Sequence, residues 1–350
     1  MALAVPDQRL RYLAVRAPNW VGDLVMATPL LEAAVRDERF ERVTILLRAH
    51  LAPILSGGPC AEHVRALERD GSEVAAYREL APDGVALLSN SLGAAWRAFR
   101  ARIPLRAGTA LGGRGHLLTH RIVPPTRGGR RAPVPTVHLQ ADVMGLLGIL
   151  PRDLHPRLHG SAEARAAARA RLESLGLPAG ARFVLCTPSA AFGAAKMWPA
   201  RHHARALELL HERFGLVAVV TGAPGEEAVM QAVAKAARTP VIDLSSVPRD
   251  LELLKALVAE SALLVTSDSG PRWFAAAFDV PCVTVMGPNF PELTASSLER
   301  CEVVRVEGLE CSPCLERVCP LGHHRCMELL EPEHVVAAAE RLLAASAKSG

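Results

Sequence analysis

The stretch Tyr12-Leu13-Ala14-Val15-Arg16-Ala17-Pro18-Asn19-Trp20-Val21-Gly22-Asp23-Leu24 decides the fold of this chain. Tyr12 to Val15 is a short run of strand formers, Pro18 and Gly22 mark a turn, and an apolar-periodic helix is expected from about Leu24 to Arg36. Outward from this unit the same alternation recurs. Apolar, β-rich runs lie at Val43 to Leu47 and Val85 to Leu88, then at Phe183 to Cys186, Val217 to Thr221, Leu263 to Thr266 and Cys282 to Met286, with amphipathic stretches beside them. Strands that alternate with helices are joined by crossovers, so parallel sheets covered by helices follow. Between the halves lies Pro151 to Gly160, and an Ala/Arg-rich helix from about Ser161 to Leu175 is ended by Gly176 and Pro178. The expected organisation is α/β: two Rossmann-like, doubly wound domains, residues 1–160 and 161–330, facing a cleft, with a last helix within 331–350.

Composition agrees with two packed cores. Of 350 residues half are hydrophobic and 22% are charged, which excludes disordered, collagen-like and disulfide-framework chains. Lys and Arg number 40 against 36 Asp and Glu, a net charge of only +4. No apolar run approaches the ~18 residues that span a bilayer, and Pro6, Asp7 and Arg9 interrupt the short apolar start, so a cytoplasmic location is expected. Cys60, Cys186, Cys282 and Cys301 stand apart, as buried thiols of a reducing compartment would.

Three strand-end turns carry chemistry. In open parallel sheets the carboxyl ends of the strands face the ligand crevice. Asp23 stands after the first strand, where a carboxylate accepts a proton from a hydroxyl or serves as an N-cap or first-turn acid favoured by the helix dipole. Cys186 to Pro199 is a strand followed by small residues, Ser189 among them, that leave room for a phosphate, with Lys196 as a point charge or a solvated loop lysine. Thr266-Ser267-Asp268-Ser269-Gly270-Pro271 again ends a strand and opens a helix. There Asp268 suits sugar hydroxyls, Ser269 and Gly270 offer hydroxyl and N–H donors, and simple helix capping is the alternative. Neither GxGxxG after the first strand nor GxxxxGK[ST] occurs, so dinucleotide and P-loop readings lack their fingerprints.

Two further segments stand out. From Gly84 to Ala141 there is no Asp or Glu but there are nine arginines: Arg97, Arg100, Arg102, Arg106, Arg114, Arg121, Arg127, Arg130 and Arg131. So one-sided a field predicts an anionic partner, a lipid surface or phosphorylated glycan, with an ordinary solvated face as the alternative. Nucleic acid is disfavoured, because aromatics are only 4% of the chain and no stacking motif is visible. Cys311, Cys314, Cys319 and Cys326 form a Cys-x2-Cys-x4-Cys-x6-Cys array, with spacing suited to a structural zinc or iron–sulfur centre. A set of free thiols that stiffen a loop stays equally open.

Taken together, Pro18-Asn19-Trp20-Val21-Gly22-Asp23, Leu88-Ser89-Asn90-Ser91, Ile103 to Gly108, Phe192 to Pro199, Thr221-Gly222-Ala223-Pro224, Asp268-Ser269-Gly270 and Gly287-Pro288 resemble the ADP-heptose:lipopolysaccharide heptosyltransferases, the family-nine glycosyltransferases. The resemblance implies the GT-B architecture, with the acceptor on the N-terminal side and ADP-heptose on the C-terminal side. It implies inverting transfer onto the first heptose of the inner core, with Asp23 as general base, Lys196 neutralising the leaving diphosphate and no cofactor needed for catalysis. Ser189, Asp268, Ser269 and Gly270 would hold the donor, and Glu226 or Glu227 would contact its ribose. Asn19, Trp20, Arg106, Arg114 and Arg121 would meet the anionic heptose-Kdo-lipid A acceptor, which implies peripheral contact with the inner leaflet. Transfer of the first or third core heptose is the nearest alternative, and a nicotinamide-dependent Rossmann oxidoreductase is the alternative from another class. Trp273 departs from the pattern, standing where the family usually has a histidine.

Overall fold

A computed structural model describes residues 10–68, 72–127 and 130–347. The chain divides into two compact units, Met1–His159 with Glu292–Ser296, and Gly160–Pro291 with Ser297–Gly350.

The first unit runs β1 (Tyr12–Arg16), α1 (Val21–Val35), β2 (Arg42–Arg48), β3 (Val64–Leu67), α2 (Ser72–Leu80), β4 (Gly84–Leu87), α3 (Leu92–Arg100), β5 (Leu105–Thr109), β6 (His120–Ile122), the hairpin β7 (Thr126–Arg127) and β8 (Arg130–Arg131), and α4 (Thr136–Gly145). Its six-stranded sheet has the order β3-β2-β1-β4-β5-β6, and every pairing is parallel. The second unit holds α5 (Ala162–Ser174), β9 (Phe183–Thr187), α6 (Ala200–Phe214), β10 (Val217–Val220), α7 (Glu227–Ala236), β11 (Val241–Asp243), α8 (Leu251–Glu260), β12 (Leu263–Ser267), α9 (Pro271–Ala277), β13 (Cys282–Val285), β14 (Cys301–Val304), α10 (Arg325–Glu328) and α11 (Pro332–Ala347). Its sheet repeats the pattern as β11-β10-β9-β12-β13-β14, also all parallel.

Both sheets therefore have the doubly wound order, with the strand direction of travel reversing between β1 and β4 and between β9 and β12. The central strands β4, β9, β12 and β13 are buried along their whole length, as sheets with helices on both faces require. Within the two six-stranded sheets, the strands that the apolar runs did not announce are β3, β5, β6, β11 and β14. Four of these, β3, β6, β11 and β14, are the edge strands of the two sheets and are only partly buried. Helix α11 packs on α6, β13 and β14. Among the described residues no helix is long and apolar enough to cross a membrane.

Helix α1 begins three residues before the expected start and continues through Pro29. A proline inside a helix orphans the carbonyl four residues back. Here that carbonyl, Val25, accepts from the Thr28 hydroxyl at 2.8 Å, and the same hydroxyl accepts from the Arg157 amide at 2.7 Å.

Candidate functional site

In the first unit the site loops follow β1 and β4, the two strands at the switch point. Trp20 is the residue before α1 and is half exposed; Asp23 falls in the helix's first turn, so it is a first-turn acid and not the cap. The Asp23 backbone carbonyl accepts from Gln140 Nε2 on α4 at 3.4 Å. The loop between β1 and α1 is fixed from beneath by Arg16, only 1% exposed, whose guanidinium donates to the Ala17 carbonyl (2.6 Å) and to Asn19 Oδ1 (2.8 Å). Glu73, equally buried, balances that charge at 3.2 Å from Arg16 Nε.

The arginines expected to meet an acceptor have different surroundings. Arg114 is completely buried, and its guanidinium donates to the carbonyls of Thr109, Ser89 and Ser91 and to Asn90 Oδ1. It organises the loop after β4 from within, and burial lowers its pKa to about 10. Arg106 is half-buried and donates to the carbonyls of Leu117, Ile103 and Pro104. Arg121 is exposed, with one long contact of 3.5 Å to the Gly115 carbonyl. The side chains of Arg127, Arg130 and Arg131 lie outside the described residues.

In the second unit the strand ends at the switch point are tied together: Thr187 Oγ1 donates to Thr266 Oγ1 at 2.6 Å and Ser267 Oγ to the Pro188 carbonyl at 3.1 Å. Directly above them Lys196 Nζ donates to Asp268 Oδ2 at 2.5 Å and to the Asp268 carbonyl at 3.1 Å. Asn289, two residues past Gly287, donates from Nδ2 to the same Oδ2 at 2.7 Å. The ammonium also lies 4.9 Å from the Phe192 ring centroid. Three loops, after β9, β12 and β13, thus converge on one carboxylate, which is 6% exposed. Capping, the alternative for Asp268, does not occur: Gly270 precedes α9, with no side-chain cap, and Pro271 opens the helix. Ser269 Oγ donates back to the Ser267 carbonyl. Trp273 is buried, with the Arg272 guanidinium 4.4 Å from its ring centroid, so its indole packs in the core.

The two glutamates after β10 have separate partners. Glu226 Oε2 accepts from the Ser189 hydroxyl and from the Ala223 amide (2.7 Å), which brings it beside the loop after β9. Glu227 is engaged by Arg249 Nη2, and its pKa is lowered by its own backbone amide, then by that of Gly225 and by Arg249.

The cysteine array is part of the same structure. Cys311, Cys314, Cys319 and Cys326 line one small cavity together with Ala195 and Pro288. Their loop holds the loops after β9 and β13. The Arg317 carbonyl accepts from the Ala195 amide (3.0 Å), His324 Nε2 donates to the Ala195 carbonyl (2.9 Å), the Leu315 amide donates to the Pro288 carbonyl (2.8 Å) and Ser312 Oγ to the Gly287 carbonyl (2.8 Å). The expected zinc or iron–sulfur centre is corrected here. Among the described residues no group of three or more His, Cys, Asp or Glu side chains is arranged to hold a metal ion, and all eight thiols are free. Burial, with the three neighbouring thiols adding to it, pushes Cys326 up to about 11, while hydrogen bonds from backbone amides, that of His324 first, lower the pKa of Cys319.

Asn289, Arg16, Gln140 and the brace through Arg317 and His324 escaped the sequence reading. Only Asn289 had a visible signal, its place directly after Gly287-Pro288 at a strand end.

A family model described as glycosyltransferase family 9 (heptosyltransferase) matches residues 76–325. A lipooligosaccharide heptosyltransferase 2 from Campylobacter jejuni is 29% identical over 167 residues, 47% of this chain and 52% of that protein, so the match spans about half the length of that relative. A lipopolysaccharide heptosyltransferase 2 from Salmonella typhimurium is 27% identical over 309 residues, 84% of this chain and 88% of that protein. The structure of the E. coli ADP-heptose lps heptosyltransferase II superposes with a TM-score of 0.75 at 25% identity, covering 96% of this chain and 99% of that one. These likenesses give the two Rossmann-like units the GT-B architecture and do not favour the oxidoreductase alternative. With the family model covering most of its length, the chain belongs to glycosyltransferase family 9, the heptosyltransferases.

Proposed function

We propose that this protein is an inverting heptosyltransferase that moves heptose from ADP-L-glycero-D-manno-heptose to the first heptose of the lipopolysaccharide inner core. The observation that carries the reading is the convergence of Lys196, Asp268 and Asn289 at the carboxyl ends of β9, β12 and β13, in a chain of family 9. In this reading residues 1–160 bind the acceptor, residues 161–330 bind the donor and the helix within 331–350 completes the second domain.

The chemistry is a single displacement. The acceptor hydroxyl oxygen attacks the anomeric carbon as the bond to the diphosphate oxygen breaks, its proton passes to the Asp23 carboxylate, and ADP leaves with the electron pair. Lys196 offsets the charge that grows on the diphosphate, a role for which a preorganised ammonium is suited. Its present partner, Asp268, keeps it in position between turnovers and turns to the donor's hydroxyls when the diphosphate takes the ammonium. Glu226, with Ser189 beside it, is the better ribose contact of the two glutamates, because Glu227 is held by Arg249. Arg121 and the loop that Arg114 organises face an acceptor rich in carboxylates and phosphates, whereas Arg106 lies at the amino end of β5, away from the strand-end loops. No cofactor and no nucleic acid enter the reading, and the enzyme works peripherally at the inner face of the inner membrane.

The test is mass spectrometry of heptose-Kdo-lipid A incubated with ADP-heptose and the protein, beside Asp23→Ala. The expected outcome is a gain of one heptose, lowered by roughly 10² to 10⁴ in the variant while ADP affinity is kept. Gain only on Kdo-lipid A that lacks heptose would move the assignment to the first core heptose, and loss of ADP binding in Asp23→Ala would remove its role as base.

A further inference from the structure

The outer face of α3 is apolar where a helix on a sheet should be polar. Ala94, Ala95 and Ala98 turn inward, the last two into the core cluster around Tyr77 and Leu87. Leu92, Trp96 and Phe99, at i, i+4 and i+7, form one stripe on the opposite side and are 52%, 47% and 44% exposed. Trp96 and Phe99 stack on each other at 5.8 Å. Each ring carries a guanidinium: Arg100 lies 5.9 Å from the Trp96 centroid and Arg106 lies 5.6 Å from that of Phe99. Beside the stripe opens a groove of about 820 Å³ lined by Phe99, Arg78, Arg100, Arg102 and Arg106 among others, and no carboxylate lines it among the described residues.

We infer that this face of α3 is a docking surface for an anionic phospholipid bilayer. Aromatic rings at the headgroup level with arginines beside them are the chemistry of an interfacial helix, the rings entering the acyl boundary and the guanidiniums pairing with phosphates. The charge is one-signed, which matches a uniformly anionic surface. Three half-exposed side chains offer roughly 300 Å² of apolar area, taking 150–250 Å² for a whole aromatic residue, well short of the ~800 Å² per partner that a stable protein interface buries. The direction is also suitable. The stripe starts at Leu92, immediately after the Ser89-Asn90-Ser91 loop at the carboxyl end of β4, the neighbour of β1 that leads to Asn19 and half-exposed Trp20. Docking through α3 therefore sets the Ser89-Asn90-Ser91 loop, at the Leu92 end of the stripe, beside the lipid surface, while Arg102 and Arg106 meet it at the amino end of β5. The inference deepens the proposed use of a lipid-linked acceptor and rests on it for this orientation only.

The experiment is co-sedimentation of the full-length protein with vesicles of phosphatidylglycerol in phosphatidylcholine, free of donor and acceptor. Binding is expected to the anionic vesicles and not to pure phosphatidylcholine, and to weaken as salt rises. Trp96→Ser with Phe99→Ser, and separately Arg100→Glu with Arg102→Glu, should each lower the partition coefficient by on the order of tenfold or more, given about fivefold for each basic residue at an anionic surface. Arg169→Glu with Arg171→Glu on α5 should leave it unchanged. ADP binding by each variant verifies that it is folded. Three results would overturn the proposal: no binding by the unaltered protein, equal binding by the α3 variants, or a concentration-dependent dimer that Trp96→Ser with Phe99→Ser dissolves, which would make the face a self-interface. Because the vesicles carry no acceptor, a failure here is separate from a failure of heptosyl transfer, which is assayed on detergent-dispersed acceptor.

Discussion

One oxygen of Asp268 accepts from both Lys196 and Asn289, and that saturation fixes the carboxylate. A hydrogen bond to a charged group contributes about 1.5–3 kcal/mol. Asn289→Ala should therefore raise the KM for ADP-heptose by roughly tenfold or more, with less effect on kcat, in steady-state kinetics. Lys196→Ala should lower donor affinity and kcat together, because the proposed mechanism uses the ammonium both in binding and on the leaving group; unchanged kinetics would remove it from the site. Asp268 was legible because it directly follows an apolar strand run, and Lys196 because it is the one cation in the loop of small residues after another. Asn289 was not, since no spacing rule says that an amide two residues past a glycine turns onto a carboxylate 21 residues earlier in the chain. Arg114 shows the converse. In sequence it is one of nine arginines without an acidic neighbour, and only the packing reveals that its guanidinium is used on carbonyls.

At the level of elements, the loop from Gly193 to Lys196 depends on the cysteine-bearing loop against it. Gly193 has φ +152°, and a Cβ there would meet the Arg317 carbonyl oxygen at 2.4 Å. Gly193→Ala should displace the Lys196 loop and weaken ADP binding in calorimetry, while Gly145→Ala, at a helical position where a Cβ meets nothing within 4 Å, should leave it intact. The pairing of α6 with β9 makes the stability depend on pH. His203 is wholly buried, with Nδ1 3.5 Å from Cys186 Sγ and its ring edge-on to Trp198 at 4.8 Å. Burial, then nearby His202, lowers its pKa from 6.5 to about 3. Between these values the unfolded chain binds a proton that the folded one does not, so stability falls as pH drops from about 6.5 towards 3 and is flat for this group above 6.5. Urea midpoints from pH 8 to 5 should show this, and His203→Gln should flatten the slope. The brace and the buried imidazole were both invisible in sequence, because each is made by segments that meet only after the sheet has formed.

For the whole molecule, two sheets of the same strand order carry different loops, and the donor reading assigns the nucleotide to one of them. ADP should accordingly raise the thermal transition of the protein, by about 2.7 kcal/mol of stability at a hundredfold excess over Kd. Hydrogen exchange should slow most at residues 187–197, 221–227, 267–270 and 287–289; protection strongest after β1 and β4 would reverse the assignment of the two units. Apolar runs and their order determined by themselves that the chain forms parallel sheets under helices, because fully buried strands must be continuously hydrophobic and parallel strands must be joined by crossovers. The strand-end turns that carry Asp23, Lys196 and Asp268 were equally readable, since a turn after a buried strand has few places to go. The tertiary structure alone decided the edge strands, whose half-exposed residues leave a weak pattern, and the partners of each charge. Side-chain pairing is set by distances between segments remote in sequence, and it turned a suggested metal array into a thiol-lined brace and a run of arginines into one buried organiser and an exposed aromatic and basic face.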